Sequence, residues 1–187
     1  KITVAGNFVN NGEITARGVN GATGAGSGGS IWINFTSGGV WAGSTSGKVE
    51  AIGGTGSNAL DLAGQNAGAG GRISVTGYAS TSYTGTYGAY GGSSGGTGGG
   101  APMGTIVTKL QSQSVGSLTV GPSSGQVRTG IYTEILSSYP AFNSYTFTPL
   151  ARVKLGCGVV FRRPPRSTLT STQANVTIAD GQKAIIS

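Results

Sequence analysis

The sequence predicts an all-β chain, a right-handed parallel β-helix (a solenoid) with Gly-rich loop insertions. Three observations carry that expectation: an internal repeat, a two-residue apolar period inside each copy, and glycine too dense for helix. The repeat reads Gly-x-apolar-x-Ala, then a small-residue stretch full of Gly, then Gly-Gly-x-Ile-x-apolar. One copy runs from Gly12-Glu13-Ile14-Thr15-Ala16 to Gly28-Gly29-Ser30-Ile31-Trp32-Ile33. A second fills residues 47–76, GKVEAIGGTGSNALDLAGQNAGAGGRISVT, and a weaker third runs from Gly85-Thr86-Tyr87-Gly88-Ala89 to Gly104-Thr105-Ile106-Val107. The copies start 35 and 38 residues apart, at Gly12, Gly47 and Gly85. Self-similarity at such a spacing marks stacked units that bury their apolar faces against one another.

Inside each copy the period is two. Ile14 and Ala16 alternate with Glu13, Thr15 and Arg17; Val49 and Ala51 with Lys48 and Glu50; Ile31 and Ile33 with Trp32 and Asn34; Ile73 and Val75 with Arg72, Ser74 and Thr76. These are short strands with one face in and one face out. Glycine inside a helix costs about 1 kcal/mol relative to alanine. Of the 37 glycines only seven follow Leu110, so the other 30 leave no long helical window before it. Three short strands, their turns and the Gly-rich insertion account for the repeat length. Stacking then puts Ile14, Val49 and Tyr87 in one internal row, and Ile31, Ile73 and Ile106 in another.

In chain order, residues 1–11 supply Ile2, Val4, Phe8 and Val9 and look like the last strand of a preceding coil. The first Gly-Gly-Ser-Ile strand leads into Asn34-Phe35-Thr36, an N-glycosylation sequon if the chain passes through a eukaryotic secretory pathway. With Ile31 and Ile33 inward, Asn34 faces outward. Tyr78, Tyr83, Tyr87 and Tyr90 precede a nearly pure glycine loop, with Tyr87 inward and Tyr83 and Tyr90 either packed or lining a carbohydrate platform. From Leu110 the apolar residues become larger and recur at strand-like intervals, from Leu118-x-Val120 to Val176-x-Ile178. Residues 1–110 are therefore Gly-rich repeats, and 111–187 a Gly-poor continuation of the same solenoid. Arg162-Arg163-Pro164-Pro165-Arg166 breaks any ladder, because proline donates no hydrogen bond, and forms an exposed basic loop suited to contacts. Asn175-Val176-Thr177 is a second sequon in the same outward register, and lone Cys157, between two glycines, reads as a small buried residue. Both ends, Ile2-x-Val4 and Ala184-Ile185-Ile186, are apolar where a solenoid needs polar caps, which points to a segment of a longer chain or to neighbouring copies.

Charge narrows the function classes. Only 9% of residues are charged, histidine is absent and the net charge is +7. Five of those seven net charges lie in residues 128–187. A basic end suits nucleic acid, anionic glycan or a neighbouring subunit, but no stacking aromatics are interleaved with it and no nucleic-acid motif is present. No stretch is long and apolar enough to span a bilayer as a helix. Disorder is the alternative for so much Gly, Ser and Thr; the repeated Ile/Val pairs, which a flexible linker has no reason to keep, count against it. Ice binding wants a flat, uncharged threonine array, which outward Trp32, Arg72, Lys48 and Glu50 interrupt.

The Gly-x-Ile-x-Ala, Gly-rich stretch and Gly-Gly-Ser-Ile-x-Ile combination resembles the repeats of very large adhesin-like surface proteins of bacteria and protists. That resemblance implies an extracellular parallel β-helix serving adhesion, a surface coat or a filament, and it brings no catalytic residue or cofactor. Parallel β-helices also host enzymes acting on acidic polysaccharides, which need clustered carboxylates. Glu13, Glu50, Asp61, Glu134 and Asp180 are widely spaced here. The expectation is a structural or adhesive cell-surface segment, not an enzyme, that self-associates end to end and contacts glycans. A carbohydrate-binding or polysaccharide-degrading β-helix is the alternative.

Overall fold

The computed structural model describes residues 1–22, 24–56, 67–93, 100–120, 133–135, 142–147, 152–155, 160–161, 168–171, 175–178 and 185–186. Among them all regular structure is β. In chain order the strands are β1 (Ile2–Val4), β2 (Phe8–Val9), β3 (Glu13–Thr15), β4 (Ser30–Phe35), β5 (Val40–Gly43), β6 (Lys48–Glu50), β7 (Arg72–Tyr78), β8 (Ser80–Tyr83), β9 (Thr86–Gly88) and β10 (Thr105–Leu110). They continue as β11 (Ser117–Val120), β12 (Thr133–Ile135), β13 (Ser144–Phe147), β14 (Arg152–Leu155), β15 (Val160–Phe161), β16 (Thr168–Ser171), β17 (Asn175–Ile178) and β18 (Ile185–Ile186). Five sheets result, ordered β1-β4-β7-β10-β11-β13-β16, β2-β5-β8, β3-β6-β9, β12-β14-β17 and β15-β18. Every ladder is parallel except β10 with β11.

The registers match the repeat alignment. Ile14 pairs with Val49 and Val49 with Tyr87, while Ile31 pairs with Ile73 and Ile73 with Ile106. Because parallel partners keep their side chains on the same face, each row becomes a column of apolar contacts. Ile31, Ile33, Phe35, Trp41, Val49, Ile73, Val75 and Ile106, from three sheets, meet in one buried cluster. Phe8 lies 5.3 Å from Trp41 between ring centroids, and Tyr83 stacks on the same indole at 4.6 Å. At the corners between strands, where ladder partners run out, asparagines supply acceptors. Asn7 Oδ1 accepts from Val40 N–H at 2.9 Å, Asn11 Oδ1 from Ser44 N–H at 2.9 Å, and Asn20 Oδ1 from Thr55 N–H at 2.7 Å.

The Gly-rich segments differ from the insertions expected of them. Wherever they are described, they are bonded backbone to backbone in several directions. Gly18 N–H donates to Ile52 O at 2.7 Å, Gly54 to Gly26 O at 2.8 Å, Gly68 to Gly54 O at 3.0 Å and Gly92 to Gly68 O at 2.8 Å. An outgoing segment, a returning segment and the next outgoing one are thus sewn together. A methyl group on Gly54 would lie 2.1 Å from Val19 O, and one on Gly68 1.8 Å from Gly26 O. Absence of a Cβ is what lets the chains approach. Gly77 has a different role. Thr76 pairs with Lys109 and Tyr78 with Leu110, so Gly77 is an extra residue in the ladder, at φ +84°. That left-handed bulge conformation favours glycine.

The expected uninterrupted parallel series is also corrected. After β10 the chain reverses through residues 111–116 and β11 returns antiparallel, with Ile106 opposite Thr119, Val107 opposite Leu118 and Thr105 opposite Val120. Opposite residues share a face, and Ile106 belongs to the first core. Leu118 and Val120 therefore point to the other side, where they join Phe142, Tyr145, Phe147 and Val153, with Val107 and Met103 packed against them. Two cores occupy opposite faces of one seven-stranded sheet. Two adjacent apolar residues of β10, Ile106 and Val107, serve one core each.

The glycine layer gives a paired test. Gly68→Ala is expected to cost about 3 kcal/mol or more, as overpacking against rigid backbone does. Gly12→Ala, with nothing within 4 Å of the added methyl, is expected to be neutral or to stabilise by about 0.4–1 kcal/mol. Denaturant unfolding of the two variants checks the contrast.

Candidate functional site

β3, β6 and β9 run directly into the glycine layer, and at that junction a cleft of about 320 Å³ opens. Arg17, Asn20, Thr55 and Tyr90 surround a floor of Gly18, Ile52 and Gly53. The stack continues beneath them, with Ala16 N–H on Glu50 O at 2.8 Å and Gly53 N–H on Tyr90 O at 3.0 Å. This repeated spacing is what delivers polar or aromatic side chains to the same wall, Arg17 and Asn20 from the first layer, Thr55 from the second and Tyr90 from the third. The wall carries a guanidinium, an amide, a hydroxyl and an aromatic ring, a set able to hold a polar ligand by hydrogen bonds and ring contact.

Arg17 is already engaged. Its Nη2 reaches Glu13 Oε1 at 3.0 Å and also pairs with Glu50. Glu50, expected outward, is only 7% exposed, because Arg17 folds over that side of β6. The hydrogen bond to Glu50 raises the Arg17 pKa above its usual value, against a smaller opposing effect of burial. The sequence carried the signal in Arg17, four residues after Glu13, with Lys48 and Glu50 in the aligned strand. Glu13 indeed sits opposite Lys48 in the ladder, and Thr15 opposite Glu50.

The tyrosines separate into two groups. Tyr83 and Tyr87 belong to the aromatic cluster, where Trp41 Nε1–H donates to the Tyr87 hydroxyl at 2.7 Å and the Tyr83 and Tyr87 rings lie 5.2 Å apart. Tyr90 alone of the two platform candidates lines the cleft. Burial raises the hydroxyl pKa of Tyr78, Tyr83, Tyr87 and Tyr90, with the neighbouring Glu50 charge pushing Tyr83 and Tyr90 further.

Asn34 lies on β4, on the face opposite buried Ile33 and Phe35, and its Oδ1 accepts from Thr76 Oγ1 at 3.3 Å. Trp32, two residues earlier on the same face, is 45% exposed. Asn175 opens β17 and pairs in register with Arg152. Arg162, Arg163, Arg166 and Cys157 lie outside the described residues. Asn34 is not among the residues that line the cleft. Among the described residues no group of three or more His, Cys, Asp or Glu side chains converges as a metal site would require, and no helix is long and apolar enough to cross a membrane. No protein-family model matches the sequence, and no curated protein or solved structure is detectably similar to it.

Two outcomes follow from this geometry. Arg17→Ala leaves a nearly buried carboxylate without its cation; because Arg17 is half exposed, the expected loss is about 1–2 kcal/mol, below that of a fully buried pair. Chemical denaturation at neutral pH reads it. The raised tyrosine pKa values mean that above about pH 10 the unfolded chain releases phenolic protons that the folded chain retains. The tyrosine contribution to stability is then constant below that pH and falls as pH rises through the folded tyrosine range, a slope that Tyr87→Phe makes shallower.

Proposed function

We propose that the chain is a structural or adhesive segment of an extracellular surface protein, a right-handed parallel β-helix that assembles end to end into a filament or appendage. Support for the β-helix comes from the return of the chain to the same sheet at every third strand from β1 to β10. In that reading the β10–β11 reversal becomes intelligible. Reversing the strand direction alone would change the sense of winding about the stacking axis, and moving the core to the other face alone would do the same. Together they leave the hand unchanged, so both halves keep the right-handed crossover that twisted parallel strands prefer.

The observation that carries assembly is a burial gradient across the first strands. Ile2, Val4, Phe8 and Ile14 are half-buried, while their register partners Ile33, Phe35, Trp41 and Val49 are at most 4% exposed. Among the described residues, the outer edges of β1, β2 and β3 have no ladder partner. Covering an apolar side chain contributes about 1.5–3 kcal/mol when burial is complete, and an open edge templates a further strand. A neighbouring coil of a longer chain or another copy of this one satisfies both. Contact between unlike ends is head to tail, which yields a filament unless the rotation closes.

A second reading, a carbohydrate-binding or polysaccharide-degrading protein, draws on the Tyr90 cleft. Binding suits its side chains. Degradation lacks support, because among the described residues no carboxylate lines the cleft and the nearby Glu13 and Glu50 are held by Arg17; we take the chain not to be an enzyme.

Sedimentation over a rising concentration series, with negative-stain microscopy of the same samples, tests assembly. Filaments that disappear in Ile14→Lys, and that salt weakens only slightly, are expected, since burial rather than charge drives the contact. A chain that stays monomeric throughout, in the parent and in the variant, contradicts it.

A further inference from the structure

The outward face of β1, β4, β7 and β10 has a composition that the packing of the fold does not require. These four strands, ITV, SIWINF, RISVTGY and TIVTKL, contain no aspartate or glutamate. Glu13 and Glu50 lie on the β3-β6-β9 sheet and Glu134 on β12. Cations are present instead. Arg72 and Lys109 stand on outward positions of β7 and β10, in register with Ser30 and Thr76, and Lys1 Nζ lies 4.1 Å from the Trp32 ring centroid.

Trp32 is the centre of this face. Large apolar side chains on a sheet are normally the inward ones, yet Trp32 is 45% exposed while its neighbours Ile31 and Ile33 are at most 7% exposed. Around it Asn34, Ser74 and Thr76 supply amide and hydroxyl groups. Parallel strands about 4.8 Å apart and same-face residues about 6.7 Å apart put the Arg72 position roughly 8 Å from Trp32 and the Lys109 position roughly 12 Å from it. The floor ends at Val107, which packs against the second core, so the face is open toward β1 and walled beyond β10.

We propose that this face binds an acidic polysaccharide, a glycan chain bearing carboxylates or sulfates, with Trp32 as its stacking surface and Arg72 and Lys109 as its charge partners. A pyranose ring presents C–H groups to an aromatic face, which the negative face of the indole attracts. Neighbouring hydroxyls and the Asn34 amide satisfy the sugar's own hydroxyls, and a cationic surface whose four strands carry no carboxylate selects an anionic chain over a neutral one. The ladder makes the spacing of the surface regular, as a linear polymer requires. The inference is independent of end-to-end assembly, because it uses a lateral face and a monomer retains it. A glycan carried on Asn34 itself would fill the same space, so binding belongs to protein with Asn34 unmodified.

Titrating the full chain, expressed without glycosylation, with polygalacturonate and dextran sulfate at about 0.15 M salt, with neutral dextran and single-stranded DNA alongside, tests the proposal. At least one acidic glycan should bind and perturb tryptophan fluorescence, neutral dextran should not bind, and DNA should bind at least about tenfold more weakly. Trp32→Ala, and separately Arg72→Gln with Lys109→Gln, should each weaken glycan binding about tenfold, the charge variant also flattening its salt dependence. Parent-like melting temperatures establish that these changes leave the fold intact. Replacing Arg162, Arg163 and Arg166 by glutamine should leave binding within about twofold. The proposal is overturned if neither acidic glycan binds, if DNA or neutral dextran binds as tightly, or if binding follows the three arginines while the Trp32 and Arg72/Lys109 variants match the parent.

Discussion

Close approach of backbone to backbone in the glycine layer is the constraint on which the rest of this structure depends. Carbonyl and amide groups of Gly18, Gly26, Gly54, Gly68 and Gly92 meet at hydrogen-bonding distance with no side chains between them. A buried backbone group left unpaired would cost about as much as a lost hydrogen bond, so such a layer is stable only if nearly every donor finds an acceptor. That requirement transmits register. Once Gly18 is bonded to Ile52 and Gly53 to Tyr90, Ile14, Val49 and Tyr87 are held in one row, and the aromatic cluster around Trp41 can close. The cleft and its Arg17–Glu50 pair are a consequence of the same spacing.

The second constraint is the sheet shared by two cores. An interior strand buried on both faces has to be apolar on both, and β10 meets this with consecutive Ile106 and Val107. Thr105 and Thr108 flank them, and Gly77 supplies the bulge that lets β10 drift out of register with β7 where the reversal begins. Neither half therefore ends at β10. The last strand of the Gly-rich region forms part of the wall of the Gly-poor region, and the change of composition near Leu110 marks a change of core rather than a break in the sheet.

Much of this was legible in the residues. Two-residue alternation identified the strands, and aligning the three repeats identified the rows, because a parallel ladder preserves sequence register. The glycine layer was not legible as a layer: glycine composition says that the chain can go where side chains cannot, and that holds equally for a loose loop and for packed segments. The reversal left one sign, the adjacent Ile106 and Val107, which a strand with one wet face does not need. Burial of Glu50 followed from Arg17 reaching over to the neighbouring strand β6, a contact that alternation alone assigns to solvent. Tyr83 and Tyr90 look equivalent in the sequence and part company because only Tyr83 has Trp41 to stack on. Outward placement of Asn34 and Trp32 was implicit in the burial of Ile31 and Ile33. Their grouping with Arg72 and Lys109 needed the cross-strand register.

A scaffold of this kind separates duties by face: inward rows hold the stacked strands, the glycine layer sets their spacing, and the outward faces are free to vary. Whether the glycine layer really sets the spacing is most directly tested by amide hydrogen exchange, resolved at Gly18, Gly54, Gly68 and Gly92. The account predicts protection comparable to that of Ile33 and Val75 in the centre of the large sheet. Exchange at those glycines as fast as in an unstructured chain, with Ile33 and Val75 still protected, would contradict it.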